Sequence, residues 1–118
     1  MKVLFIDDEP MILKMAGFIL KKGGYECVTA GSGEEGIRLC KESCPEMIFI
    51  DVEMPGMNGF ETLEELKKSS VNARICMMSG TINEEVMRKA RALGTVGMIE
   101  KPLNAQVVYS MIEGSEEK

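Results

Sequence analysis

Short apolar runs and helical stripes alternate along the whole chain. Val3–Ile6 is continuously apolar, Tyr25–Ala30 is mixed and β-branched, and Met47–Ile50 is apolar throughout. Arg74–Met78 and Val96–Ile99 complete a set of five candidate strands. Runs that lack polar alternation fit strands covered on both faces.

Helical patterns fill the intervals. The first is predicted from Pro10, a residue suited to an early helical position, to Lys22, with Ile12, Met15 and Ile19 on one stripe and Gly23-Gly24 as its stop. Ser32 followed by Glu35 forms a capping box opening the second, which carries Ile37, Cys40 and Cys44. The third carries Phe60, Leu63 and Leu66, with Glu64 and Lys68 paired one turn apart on its wet side. The fourth, from near Asn83 to Leu93, buries Val86, Ala90 and Leu93. Asn104 caps the fifth, with Val107, Val108, Met111 and Ile112, and the tail from Gly114 onward is expected to fray. Strand–helix repeated five times with short connections predicts one α/β domain over residues 1–118, with a parallel sheet and right-handed crossovers.

Composition narrows the function classes. A net charge of −5 and the absence of any Lys/Arg cluster longer than two residues argue against a nucleic-acid partner. No apolar run approaches the ~20 residues that cross a bilayer, and Met1-Lys2 before a short apolar run is unlike a signal peptide, so no membrane association and a cytoplasmic location are expected. The chain has four cysteines, no histidine and no C-x-x-C pair, so the thiols read as small reduced hydrophobes rather than as a zinc site.

The acids carry the specific signal. Of nineteen acidic residues only three are aspartates, and each follows an apolar strand: Asp7 and Asp8 after Ile6, and Asp51 after Ile50. Open parallel sheets bind ligands at the carboxyl ends of their strands, where strand order reverses. Neighbouring first and third strands would gather all three carboxylates there. Their mutual repulsion asks for protonation or for a hard divalent cation, and short Asp side chains suit Mg²⁺. An acid-rich helix start accounts for Glu9 and partly for Asp8, since acids favour the helix dipole, but it leaves Asp51 and its turn-rich loop unexplained. Ser79 before Gly80, and Lys101 before Pro102, end the fourth and fifth strands. They add a hydroxyl and a fixed cation, the groups that a phosphoryl group on a carboxylate would need.

The motifs Ile6-Asp7-Asp8-Glu9-Pro10, Asp51-x-x-Met54-Pro55-x-x-x-Gly59, Ser79-Gly80 and Lys101-Pro102 resemble the receiver domain of two-component response regulators, of the chemotaxis-regulator type. The resemblance covers essentially the whole chain. It implies a flavodoxin-like (β/α)5 three-layer sandwich with strand order 2-1-3-4-5, an order for which a chemotaxis receiver is a standard example. It implies Asp51 as phosphoacceptor, Asp7 and Asp8 as organisers of Mg²⁺, and the backbone carbonyl of Glu53 as a further ligand. By the same resemblance Lys101 pairs with the acceptor and then the phosphoryl oxygens, Ser79 is the switch hydroxyl, and the Lys101-Pro102 bond is cis. The resemblance also puts Glu53 and Thr81 at positions that tune phosphoryl lifetime in the family, so Glu53 is expected to matter to it. The implied partners are a sensor histidine kinase or phosphotransfer protein and a downstream effector or output domain.

The sequence departs from the family at Met98, where an aromatic residue usually reads the switch; Met packing would take over that surface. Three rival classes are weighed against this one. An FMN carrier would need a first loop that attracts phosphate, and Asp7-Asp8-Glu9 repels it. An aspartyl-phosphate phosphotransferase would need a second acid beside the nucleophile, which Asp51-Val52-Glu53 only approximates. A degenerate receiver, binding partners without phosphorylation, would not need all of Asp7, Asp8, Asp51, Ser79 and Lys101.

Overall fold

Successive strand residues point to opposite faces of a sheet, and here each face has its own apolar core. The computed structural model describes residues 1–69 and 71–114. Its strands β1 (Lys2–Ile6), β2 (Glu26–Ala30), β3 (Met47–Asp51), β4 (Arg74–Ser79) and β5 (Gly97–Glu100) form one parallel sheet in the order β2-β1-β3-β4-β5. On one face Val3, Phe5, Met47, Phe49, Cys76, Met78 and Ile99 pack against α1 (Pro10–Lys22) and α5 (Ala105–Glu113). On the other, Leu4, Ile6, Ile48, Ile50, Ile75 and Met77 meet α2 (Gly33–Ser43), α3 (Gly59–Lys68) and α4 (Glu84–Ala92). This is the three-layer flavodoxin-like α/β sandwich with the expected 2-1-3-4-5 order. Phe5 and Phe49, partners in the β1–β3 register, stack with ring centroids 4.4 Å apart. Such a pair adds about 1 kcal/mol beyond its buried area and sits at the centre of the sheet.

Several side chains fall elsewhere than expected. Met15 lies on the open side of α1 with Met11 and Phe18, while Ala16, Ile19 and Leu20 make the buried face, because the 3.6-residue period carries the stripe past Met15. Cys44 is exposed: it is the C-cap of α2 in the left-handed region, φ 50°, so the helix has ended before its side chain can join the stripe. Ser32 Oγ does accept from Glu35 N, but the Glu35 carboxylate reaches back to Gly31 N at 2.8 Å, so only half of that capping box forms. A complete box instead opens α3, between Asn58 and Glu61. Lys68 pairs with Glu65 at 3.2 Å rather than with Glu64. Val107 is 42% exposed while Val108, Met111 and Ile112 bury the inner side of α5. Gly114 caps α5 with φ 70°; the rest of the expected frayed tail lies outside the described residues.

Cys40 and Cys76 are buried among apolar side chains, and burial pushes the Cys27 and Cys40 thiols up, which suits unreactive packing residues. Among the described residues no helix is long and apolar enough to cross a membrane.

Candidate functional site

Three neighbouring strands, β1, β3 and β4, deliver polar side chains to the carboxyl edge of the sheet, and β5 runs out beside them into Lys101. The Asp7 N–H donates to Ala30 O at 3.0 Å, which prolongs the β1–β2 ladder, and Asp7 is completely buried. Asp7 Oδ1 then accepts from Glu9 N at 2.9 Å, a tight turn that leaves Asp8 exposed and starts α1 at Pro10. Asp51 is the last residue of β3 and is buried, and the next N–H, of Val52, donates to Met78 O at 2.8 Å. The loop beyond closes where Gly59 N donates to Val52 O at 3.0 Å. A Cβ on Gly59 would run into the carbonyl oxygen of Asp51, so the loop can pack this closely only on a glycine. Lys101 N donates to Ser79 O at 2.9 Å, which fixes the base of the lysine beside the rim, and the Lys101-Pro102 bond is cis as expected.

Carboxylate oxygens of Asp7, Asp8 and Asp51 all lie within 4.8 Å of one another. Lys101, whose side chain is 14% exposed, sends its Nζ among the acids: 2.9 Å from Asp7 Oδ2, 3.1 Å from Glu9 Oε1 and 3.2 Å from Asp51 Oδ1. Burial raises the pKa of Asp51 to about 6 and the Asp7 charge adds to the rise; Lys101 and the Glu53 N–H oppose it. Burial by itself would lower the Lys101 pKa, but Asp7, Glu9 and Asp51 together overcome it and hold the ammonium charged. One lysine does not neutralise this many acids.

The donor set fits a hard cation. Asp7 Oδ2 is completely buried and meets Lys101 Nζ at 2.9 Å, which leaves this carboxylate oxygen with acceptor capacity to spare. Three short carboxylates around such an atom suit an oxygen-ligated divalent ion, with Asp7, Asp8 and Asp51 as its side-chain ligands. Above them opens a cleft of about 540 Å³ lined by Asp8, Glu9, Ile12, Asp51, Glu53, Gly80, Lys101 and Pro102.

The other expected residues stand around this cleft. Glu53 is exposed on its wall, and its N–H donates to Asp51 Oδ1 at 3.4 Å. Ser79 is buried, and its hydroxyl is engaged away from the acids: it donates to Thr81 O at 2.8 Å and accepts from Thr81 N at 3.1 Å. Met98 sits apart, half-buried on β5 beside α4, in a small cleft of about 110 Å³ with Met87, Ala90 and Val96. By sequence alone Glu9 belongs to the helix dipole. It is the N-cap residue of α1, but its side chain makes no capping bond and turns to Lys101 instead. The signal was present: Glu is a poor N-cap where Ser, Asp or Asn would serve.

A sheet whose order reverses between β1 and β3, with its acids gathered above that point, defines the class: a flavodoxin-like α/β domain carrying its site on the carboxyl rim. Within that class residues 3–113 match the response regulator receiver domain, and the chain belongs to that family, the receiver domains of two-component signalling proteins. Over 114 residues it is 35% identical to the probable C4-dicarboxylate response regulator DctR of Bacillus subtilis, covering 95% of this chain and 50% of DctR. Over 114 residues it is 34% identical to the chemotaxis protein CheY of Treponema pallidum, covering 94% of this chain and 79% of that protein. The chain thus spans about half the length of one relative and most of the other. The solved structure of Vibrio cholerae CheY4 superposes with a TM-score of 0.91 at 30% identity, over 96% of each chain.

Proposed function

We propose that this receiver domain is a phosphorylation-operated switch in which Asp51 accepts a phosphoryl group from a histidine kinase or phosphotransfer protein. The observation that carries the reading is Lys101, held between Asp7 and Asp51 where three carboxylates converge. An Asp51 oxygen attacks phosphorus in line. The donor's P–N bond breaks, or the P–O bond of a small acyl phosphate, and the bonding pair leaves with the donor. The product is an acyl phosphate on Asp51; water later hydrolyses it, which restores the carboxylate and releases inorganic phosphate. Asp7, Asp8, Asp51 and the backbone carbonyl of Glu53 would hold Mg²⁺, which when bound supplies positive charge against the phosphoryl oxygens. Lys101 pairs first with Asp51 and then with those oxygens. Ser79 exchanges its turn with Thr81 for a bond to the phosphoryl group, and that exchange moves the segment between β4 and α4. Met98, on β5 beside α4, passes the change to the effector surface by repacking, as a flexible thioether can.

The protein donor has to approach over the same rim. α1 leaves directly from it, and its open side presents Met11 and Phe18, each 68% exposed, beside Met15 in a shallow apolar cleft. That surface continues from Glu9 and Ile12 of the acidic cleft, so it suits an apolar helical face of the phosphodonor protein. The reading puts the domain in the cytoplasm, with an effector or output domain as its second partner and no direct contact with nucleic acid or membrane. Incubation with acetyl phosphate and Mg²⁺ tests it by intact mass. One base-labile phosphoryl adduct is expected, lost in Asp51→Asn and without Mg²⁺. No adduct with any donor would leave only a phosphorylation-independent interaction module.

A further inference from the structure

Lys101 has more partners than the transfer needs. Asp7 and Asp51 are buried beneath it, but the third partner, Glu9, is 60% exposed on its side chain and reaches in from the start of α1. A Glu at this position has two uses open to it. It could turn back over the N–H groups of the first helical turn, or it could reach outward. The Glu9 side chain makes no capping bond, although only the backbone oxygen of Glu9 meets the first turn, through Ile12 N and Leu13 N. Its carboxylate lies 3.1 Å from Lys101 Nζ instead. It also lines the cleft through which any phosphodonor must enter.

We propose that Glu9 is a latch on Lys101: a releasable counter-ion that holds the ammonium toward the mouth of the cleft until phosphoryl oxygens displace it. The proposal rests on the phosphoacceptor reading above and adds a positioning residue to it. Asp7 and Asp51 keep Lys101 charged and anchored whether or not Glu9 is present, so the latch sets how readily the lysine is released. A carboxylate that competes with phosphoryl oxygens for one ammonium must slow their capture. The latch is weak enough to open, because an exposed ion pair contributes roughly the equivalent of a two- to fivefold equilibrium bias.

Two variants separate a latch from simple repulsion of the incoming anion. Glu9→Gln removes charge and latch together. Glu9→Asp keeps the charge but shortens the side chain by one methylene, which withdraws the carboxylate from its 3.1 Å contact with Lys101, and it offers the helix start a better cap. The initial rate of phosphoryl uptake from acetyl phosphate at saturating Mg²⁺ is read by intact mass. Both variants are expected to exceed wild type by about two- to fivefold. Glu9→Asp matching wild type would assign the effect to charge repulsion and overturn the latch; so would unchanged or slower uptake in Glu9→Gln. A second measurement needs no phosphorylation. In the metal-free protein, the Lys101 ammonium protons observed by NMR should exchange with water at least about twofold faster in both variants, as one of three partners is lost. Unaltered exchange overturns the latch even if wild type accepts phosphate. A wild type that takes up no phosphate, with exchange accelerated in both variants, removes the phosphoacceptor reading while keeping the contact.

Discussion

Replacing Asp51 by Asn should stabilise the metal-free protein at neutral pH, although it removes the residue on which function is proposed to rest. Burial and the Asp7 charge lift the Asp51 pKa from 3.8 to about 6. A carboxylate raised in this way binds its proton more tightly in the folded chain than in the unfolded one. The fold is therefore most stable, as far as this group is concerned, below its unfolded pKa near 4, and stability falls as pH rises through about 6. At about 1.4 kcal/mol per pKa unit, a rise of roughly two units corresponds to a cost on the order of 3 kcal/mol above pH 7. Asn carries no charge at any pH, and Lys101 keeps Asp7 and Glu9 as partners. Part of the cost is shared with these neighbours, so the expected gain is about 1–3 kcal/mol at pH 7.5 in EDTA, vanishing near pH 4. Urea unfolding followed by far-UV circular dichroism measures it, since the chain has no Trp. Mg²⁺ should then narrow the gap by stabilising wild type more than Asp51→Asn, through mass action on the folded state. A variant less stable than wild type at pH 7.5 in EDTA, or a difference that does not shrink toward pH 4, would refute the reasoning.

Other positions give further checks. Gly59→Ala should cost more than about 2 kcal/mol by thermal or urea unfolding, because the new methyl meets the Asp51 carbonyl oxygen and the Val52 Cα. Arg74 donates to Ile112 O at 2.7 Å and Met111 O at 2.9 Å, holding the carbonyl end of α5. Arg74→Ala should cost about 1.5–3 kcal/mol and lower the hydrogen-exchange protection of α5 before that of β3. Phe18→Ser should slow phosphoryl uptake from a protein donor at least about threefold and leave uptake from acetyl phosphate unchanged, as loss of an exposed aromatic anchor from a docking surface would.

The fold was legible because each level of the chain agrees with the next. Continuous apolar strands demand cover on both faces, and the helical stripes between them supply it. The site was legible for a related reason: Asp7 and Asp8 follow β1 and Asp51 ends β3, and the register of these strands, with Ile6 opposite Ile50, brings the acids together. The misses lie where a side chain had two satisfactory options. Met15 could face the core or the open side of α1, and one residue of helical phase decided it. Lys68 has acids within one turn at two spacings, and Glu65 took it. Glu9 suits both the helix dipole and Lys101, and only the placement of β5 relative to α1 shows which it meets. Ser79 was expected at the rim and is there, but its turn with Thr81 depends on loop geometry that composition does not encode.

The central claim concerns one carboxylate, and chemical trapping tests it most directly. After reaction with acetyl phosphate and Mg²⁺, borohydride reduces an acyl phosphate to the corresponding alcohol, which turns the acceptor aspartate into a homoserine that peptide mass mapping can locate. The account predicts a single conversion, at position 51, with Asp7 and Asp8 recovered intact. Conversion at position 7 or 8, or none at 51 in protein that carries the phosphoryl mass, would contradict it.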